Sequence, residues 1–191
     1  MLAKHIAELQ RDLEKLTTHE ATLNGLADAI LHAFQTGGKL MTCGNGGSAA
    51  EAAHLAEEFT GRFYRERQSL PGICLSMDGA LLTCIANDYS FDEVFSRQVQ
   101  SIGQPGDVLV AFTTSGNSEN IARALKAGRD RGVITGIFSG KSGGRAKGLA
   151  DYEIIVQSDN PSSMRVQECQ QLLLHVLCER IECAVLGIAE D

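Results

Sequence analysis

His54 and Glu58 stand four residues apart in AAEAAHLAEE, directly behind the bare segment CGNGGS. On a helix that spacing brings both side chains to one face. An imidazole and a carboxylate so placed can grip a divalent ion from one side, or divide the acid and base work of moving a proton. On an arbitrary helix such a pair is a solvated His–Glu contact. Here Ala49, Ala50, Ala52, Ala53 and Ala56 make the helix slim enough for close packing, and it starts at a glycine-rich loop, which favours chemistry.

A second cluster, TTSGNS at 113–118, carries the hydroxyls of Thr113, Thr114, Ser115 and Ser118, with Gly116 to let the chain turn. Hydroxyls at a helix N-terminus, beside unpaired backbone NH groups, suit a phosphate monoester. No lysine follows the glycine, so this is not a Walker A loop. The dinucleotide spacing GxGxxG is also absent, since Ala49 stands where the third glycine would be.

Both loops need strands to carry them. KLMTC (39–43), ICLSM (73–77), DVLVAFT (107–113), VITGIF (133–138) and EIIVQ (153–157) read as five short apolar strands. Helical spacing marks about 44–60, 80–86, 91–102, 118–131, 145–149 and 162–187 between and after them. Strands alternating with helices predict an α/β fold, a three-layer αβα sandwich with a five-stranded parallel sheet. Ligands of such sheets bind outside the carboxyl ends of the strands, where GNGGS and TTSGNS fall. Two amphipathic helices, 1–16 and 20–35, come first, and the expectation is a helical hairpin over 1–36 used in oligomerisation, within one domain spanning 1–191.

Composition narrows the function. With 24 acidic against 17 basic residues the net charge is −7, which offers no general grip on nucleic acid. No apolar stretch is long enough to span a membrane, and MLAKHIAELQ has no signal-like core, so the expected setting is cytoplasmic. Six scattered cysteines without CxxC spacing read as reduced, mostly buried residues.

The segments CGNGGSAAEAAHLAEEFTGRF, IANDYSFDEVFSRQV, TTSGNS and RVQECQQLLLH occur in an order and spacing that resemble phosphoheptose isomerases of the sugar isomerase (SIS) domain group, over about residues 20–187. The resemblance implies interconversion of sedoheptulose 7-phosphate and glycero-manno-heptose 7-phosphate by a homotetramer with active sites between subunits. It implies substrate contacts from Asn45, Gly46, Gly47, Asn87 and Asp88, and a phosphate held by Thr113, Thr114, Ser115 and Ser118. His54, Glu58, Gln167 and His175 match the positions that bind a zinc ion around the reacting carbons, with Glu58 and Gln167 also touching substrate. Three positions depart from the pattern: Thr113 for serine, Val166 for isoleucine, and Gln170 where a histidine is frequent.

Aldose–ketose exchange through an enediol needs a base, an acid for the neighbouring oxygen and stabilisation of developing charge. Glu58 is the expected base and His175 its acid–base partner. Gln167 and His175 are eight residues apart on one helix, roughly 12 Å along its axis. One ion with bonds of about 2 Å is hard to reach from both, so either the helix bends or they serve the site from different subunits, and the second is the expectation. Glu51 reads as a supporting carboxylate or a solvated one, Arg62 as a substrate contact or an ion-pair partner, and His5, His19 and His32 as surface or packing residues. The rivals are a non-catalytic tetramer that binds the bacterial replication initiator, and a sugar-phosphate sensor. Neither needs Glu58, Gln167 and His175 together.

Overall fold

The computed structural model describes residues 1–160 and 162–189. Helices α1 (Leu2–Lys15) and α2 (Glu20–Gln35) lead into β1 (Leu40–Gly44) and α3 (Gly47–Thr60). Then come β2 (Gly72–Cys74), α4 (Gly79–Asp88), α5 (Ser96–Ile102), β3 (Val108–Phe112) and α6 (Glu119–Asp130). The chain closes with β4 (Ile134–Gly140), β5 (Tyr152–Val156) and α7 (Ser163–Leu186). The strands form one parallel sheet in the order β2-β1-β3-β4-β5.

Alternation along the strands divides the core. Leu40, Val108, Val110, Phe112, Phe138, Ile154 and Val156 face α2, α3 and α7, while Met41, Cys43, Leu109, Ala111 and Ile137 face α5 and α6. Both faces of the sheet are thus covered, as a parallel sheet requires. The order reverses between β1 and β3. The helices that follow these two strands, α3 and α6, leave toward opposite faces, and a crevice opens between their N-termini.

Two expectations change. In place of a hairpin, α1 and α2 join in one long helical run through a 3-10 turn at Leu16–His19. LTTH contains neither glycine nor proline, and the Thr17 and Thr18 hydroxyls donate to the Glu14 and Lys15 carbonyls, so nothing reverses the chain. The run lies along α7. The second strand is also shorter than ICLSM suggests. After Cys74 the chain leaves the sheet edge, and the Ser76 hydroxyl bonds both the NH and the carbonyl of Gly44.

Candidate active site

The crevice between β1 and β3 holds a cavity of about 180 Å³ lined by Asn45, Ser48, Phe112, Thr113, Thr114, Ser115 and Ser118. The 113–118 loop is closed by its own hydroxyls. Thr113 Oγ1 accepts from the Gly116 NH at 3.2 Å, and Ser115 Oγ accepts from the Asn117 NH at 3.1 Å. Gly116 has φ +67°, and a Cβ there would run into the Gly143 carbonyl. Ser118 sits at the N-cap of α6 without making a capping hydrogen bond, which leaves its hydroxyl for the cavity. From beneath, the buried Gln170 donates to the Thr113 carbonyl at 3.2 Å, so the residue at the frequent histidine position steadies this loop.

The two loops are tied together. Asn45 and Asn120 exchange side-chain hydrogen bonds, both at 2.9 Å, and Asn120 is buried. Asn45 therefore spends its amide on bridging the crevice, and Asn120 is a partner that sequence reasoning missed. Asn87 donates to Asp88 at 2.8 Å on the exposed end of α4. Asp88 opens onto a separate hollow with Tyr89 and Arg97, so the chain by itself does not bring this pair to the phosphate loop.

Behind the crevice α3 and α7 lie side by side and run in the same direction. The start of α3 meets the start of α7: the Gln167 amide packs so closely on Gly47 that a Cβ there would collide with it. Farther along, His54 Nε2 donates to Glu58 Oε1 at 2.9 Å. The His54 and His175 rings meet edge to face with centroids 5.2 Å apart. His54, Glu58 and His175 offer ligand atoms that all lie within 4.8 Å of one another, a set that could hold a metal ion. Residues 47, 51, 54 and 58 of α3 thus face 167, 171 and 175 of α7 along one polar seam.

This register revises the expectation for Gln167 and His175. Both meet the α3 of their own chain, Gln167 at the loop end and His175 at the Glu58 end, because two parallel helices offer partners at matched heights. Gln167 is directed at Gly47 and Glu51, while His175 completes the three-residue cluster.

Glu51 is buried in the seam, and neither carboxylate oxygen completes a hydrogen bond of normal geometry. Burial pushes its carboxyl up to about 7, offset in part by Ser48 and Gln167, which lean toward it. It is not a solvated residue. Arg62 is exposed; Arg67 is the arginine that reaches the helix, donating to the Glu58 and Phe59 carbonyls at 2.5 and 3.0 Å. Arg67 Nε also lies 3.6 Å from the buried Glu182, which accepts from the Tyr64 and Arg65 NH groups. This pairing ties the segment after α3 to α7 and sets Phe63 against His175, ring centroids 5.8 Å apart.

Residues 4–139 match the SIS domain family model. A phosphoheptose isomerase of Neisseria gonorrhoeae (strain NCCP11945) is 41% identical over 189 residues, covering 97% of this chain and 95% of that protein. One from Synechocystis sp. (strain ATCC 27184 / PCC 6803 / Kazusa) is 46% identical over 160 residues, covering 84% and 81%. The solved structure of phosphoheptose isomerase from Neisseria gonorrhoeae superposes with a TM-score of 0.86 at 37% identity, over 95% of this chain and 96% of that one. The chain belongs to the phosphoheptose isomerase family.

Membership of the phosphoheptose isomerases rests on more than the sheet. The SIS match ends at residue 139, before α7. The gonococcal relative extends across α7, the helix that supplies Gln167 and His175 to the seam. Among the described residues no helix is long and apolar enough to cross a membrane. His5, His19 and His32 stand apart from the cluster; His5 accepts from the buried Arg165, and His19 bonds the Ile155 carbonyl.

Proposed function

We propose that this chain is an aldose–ketose isomerase that converts sedoheptulose 7-phosphate to D-glycero-D-manno-heptose 7-phosphate through an enediol. The observation that carries the reading is the meeting of His54, Glu58 and His175 at one end of a seam whose other end opens at the phosphate-type loops. Names and high coverage of the relatives supply the sugar. An initiator-binding scaffold or a sensor would have no use for this cluster.

In this mechanism the phosphate rests in the 113–118 loop on backbone NH groups and hydroxyls, with the positive end of α6 behind it. Asn45, Gly46 and Gly47 form the opposite wall, and Gly47 admits Gln167 to the sugar chain. Glu58 takes the proton from the carbon beside the carbonyl. His175 gives a proton to the carbonyl oxygen; the enediol then collapses as Glu58 returns its proton to the former carbonyl carbon and His175 takes one back from the hydroxyl on the neighbouring carbon. Asn87 and Asp88 reach substrate when subunits assemble as a homotetramer with sites between them. The exposed apolar residues Leu2, Ile6, Leu172 and Val176 on α1 and α7 suit such assembly. Its setting is the cytoplasm.

Two imidazoles and a carboxylate with a remaining open position are the donor set of a catalytic zinc site, so the cluster fits Zn2+. His54, Glu58 and His175 would hold the ion, with Gln167 toward the substrate side. When bound, zinc supplies Lewis-acid polarisation of the sugar carbonyl. A carboxylate engaged by a cation would be a weaker base than a free one.

Incubation with sedoheptulose 7-phosphate in deuterated water tests the reading. Wild type should place label at the carbon beside the carbonyl. Glu58→Gln and His175→Ala should each lose at least about a hundredfold in exchange rate, the low end of acid–base contributions. Unchanged exchange in both variants would remove the mechanism.

A further inference from the structure

Gln171 lies on α7 one turn before His175 and is half-buried in the seam. Its Nε2 is 2.8 Å from His54 Nδ1 and 3.0 Å from His175 Nε2. A primary amide nitrogen carries two hydrogens and only donates, so both ring nitrogens accept. The single proton of His54 then sits on Nε2, donated to Glu58 Oε1 at 2.9 Å. Turning the amide over would set its carbonyl oxygen between the rings and demand a proton on His54 Nδ1. The unprotonated Nε2 of a neutral His54 would then face a carboxylate oxygen at 2.9 Å, lone pair against lone pair. Contact with Glu58 therefore fixes Nε2–H on His54 and with it the amide's orientation, and the amide in turn fixes Nδ1–H on His175.

We propose that Gln171 is a positioning residue that holds the rings of His54 and His175 in orientation and fixes the tautomer of His175, and through them the affinity of the cluster for a divalent cation. The proposal rests on the isomerase reading only for what the cluster is used for. A cation on His54 Nε2 would move the ring proton to Nδ1. The same amide, turned about its last torsion, then offers its carbonyl to that proton, the anchoring bond that metal-ligating histidines make on their far nitrogen. Among the seam residues only Gln171 contacts both histidines through hydrogen bonds within the described structure.

The test uses the full chain labelled with 15N-histidine, metal-free, at about pH 8.5, two units above the ordinary imidazole value. The chain has five histidines, few enough to assign individually. Long-range 1H–15N spectra should show His54 protonated on Nε2 and His175 on Nδ1. In Gln171→Leu and Gln171→Met, two apolar replacements of similar length, His54 should keep its tautomer through Glu58 while His175 shifts toward the Nε2–H form. Zinc affinity, read by competition with a chromophoric chelator, should fall about tenfold to a hundredfold, the usual cost of losing such an anchoring partner. Two variants guard against one misfolding, with circular dichroism as the check. Unchanged His175 tautomer in both, or zinc affinity within about twofold of wild type, overturns the proposal. Shifted tautomers without label exchange in wild type would overturn the isomerase reading alone.

Discussion

The 113–118 loop and the α3–α7 seam are neighbours built on opposite plans. The 113–118 loop closes on itself: Thr113 and Ser115 satisfy NH groups two or three residues away, and Gly116 takes the left-handed turn. Its turn is made within six residues, with one remote prop in the Gln170 amide beneath Thr113. The seam is assembled at a distance. Gln171 reaches His54 across 117 positions, and Tyr64 and Arg65 donate to Glu182 across 118 and 117. Its polar groups are also costly, with Glu51 buried and short of partners. A local site is stable wherever its strand goes, whereas a seam exists only while two helices keep their register.

That contrast can be broken, and the largest effect should come from the seam's clamp. Arg67→Met leaves the buried Glu182 with two backbone NH groups and the more distant Arg65 guanidinium at 3.9 Å, and should cost about 3 kcal/mol of stability, the low end of the penalty for removing one partner of a buried pair. Chemical denaturation gives the number directly; a cost below about 1 kcal/mol would mean that α7 is held without the clamp.

Glu51 should give the next largest signal, through pH. Its folded carboxyl is raised to about 7 from an ordinary glutamate value of 4.5, so the folded state binds the proton more tightly than the unfolded chain. Stability from this group is full below about 4.5, falls as pH rises toward 7 and is gone above it, a loss of about 3 kcal/mol. Glu51→Gln should flatten this fall, seen as thermal unfolding measured across that window. A variant that kept the wild-type slope would place the titration elsewhere.

The smallest effect belongs to the loop. Ser118→Ala removes one hydroxyl from the cavity proposed to hold the phosphate and should raise KM about tenfold, with kcat within about twofold, as expected for a lost hydrogen bond to a charged group. Stability should stay within about 0.5 kcal/mol. Were kcat to collapse instead, loop and seam would be one catalytic unit rather than two regions with separate duties.

How far each region could be read in advance follows from the same difference. GNGGS and TTSGNS announce themselves through local chemistry, and the strands 39–43 and 107–113 through short apolar runs. His54 and Glu58 pair within one helix, so their contact was readable as well. The helical hairpin failed because amphipathic periodicity locates a helix but not the direction of the next one; the 3-10 turn at Leu16–His19 simply continues. Arg67 and Asn120 carry no motif, Gln171 sits unmarked within RVQECQQLLLH, and each matters through a partner that is remote along the chain.

Amino-acid order alone determined the strand segments, the two loops that follow β1 and β3 and the one-turn spacing of imidazole and carboxylate on α3, because these depend on patterns within a few residues. Only the packed molecule decided that α7 runs parallel to α3, at a height where Gln167, Gln171 and His175 meet residues 47, 54 and 58 in turn. Helix periodicity says which residues share a face. The height at which two faces meet is set by the apolar core beneath both helices, and no short stretch of sequence contains it.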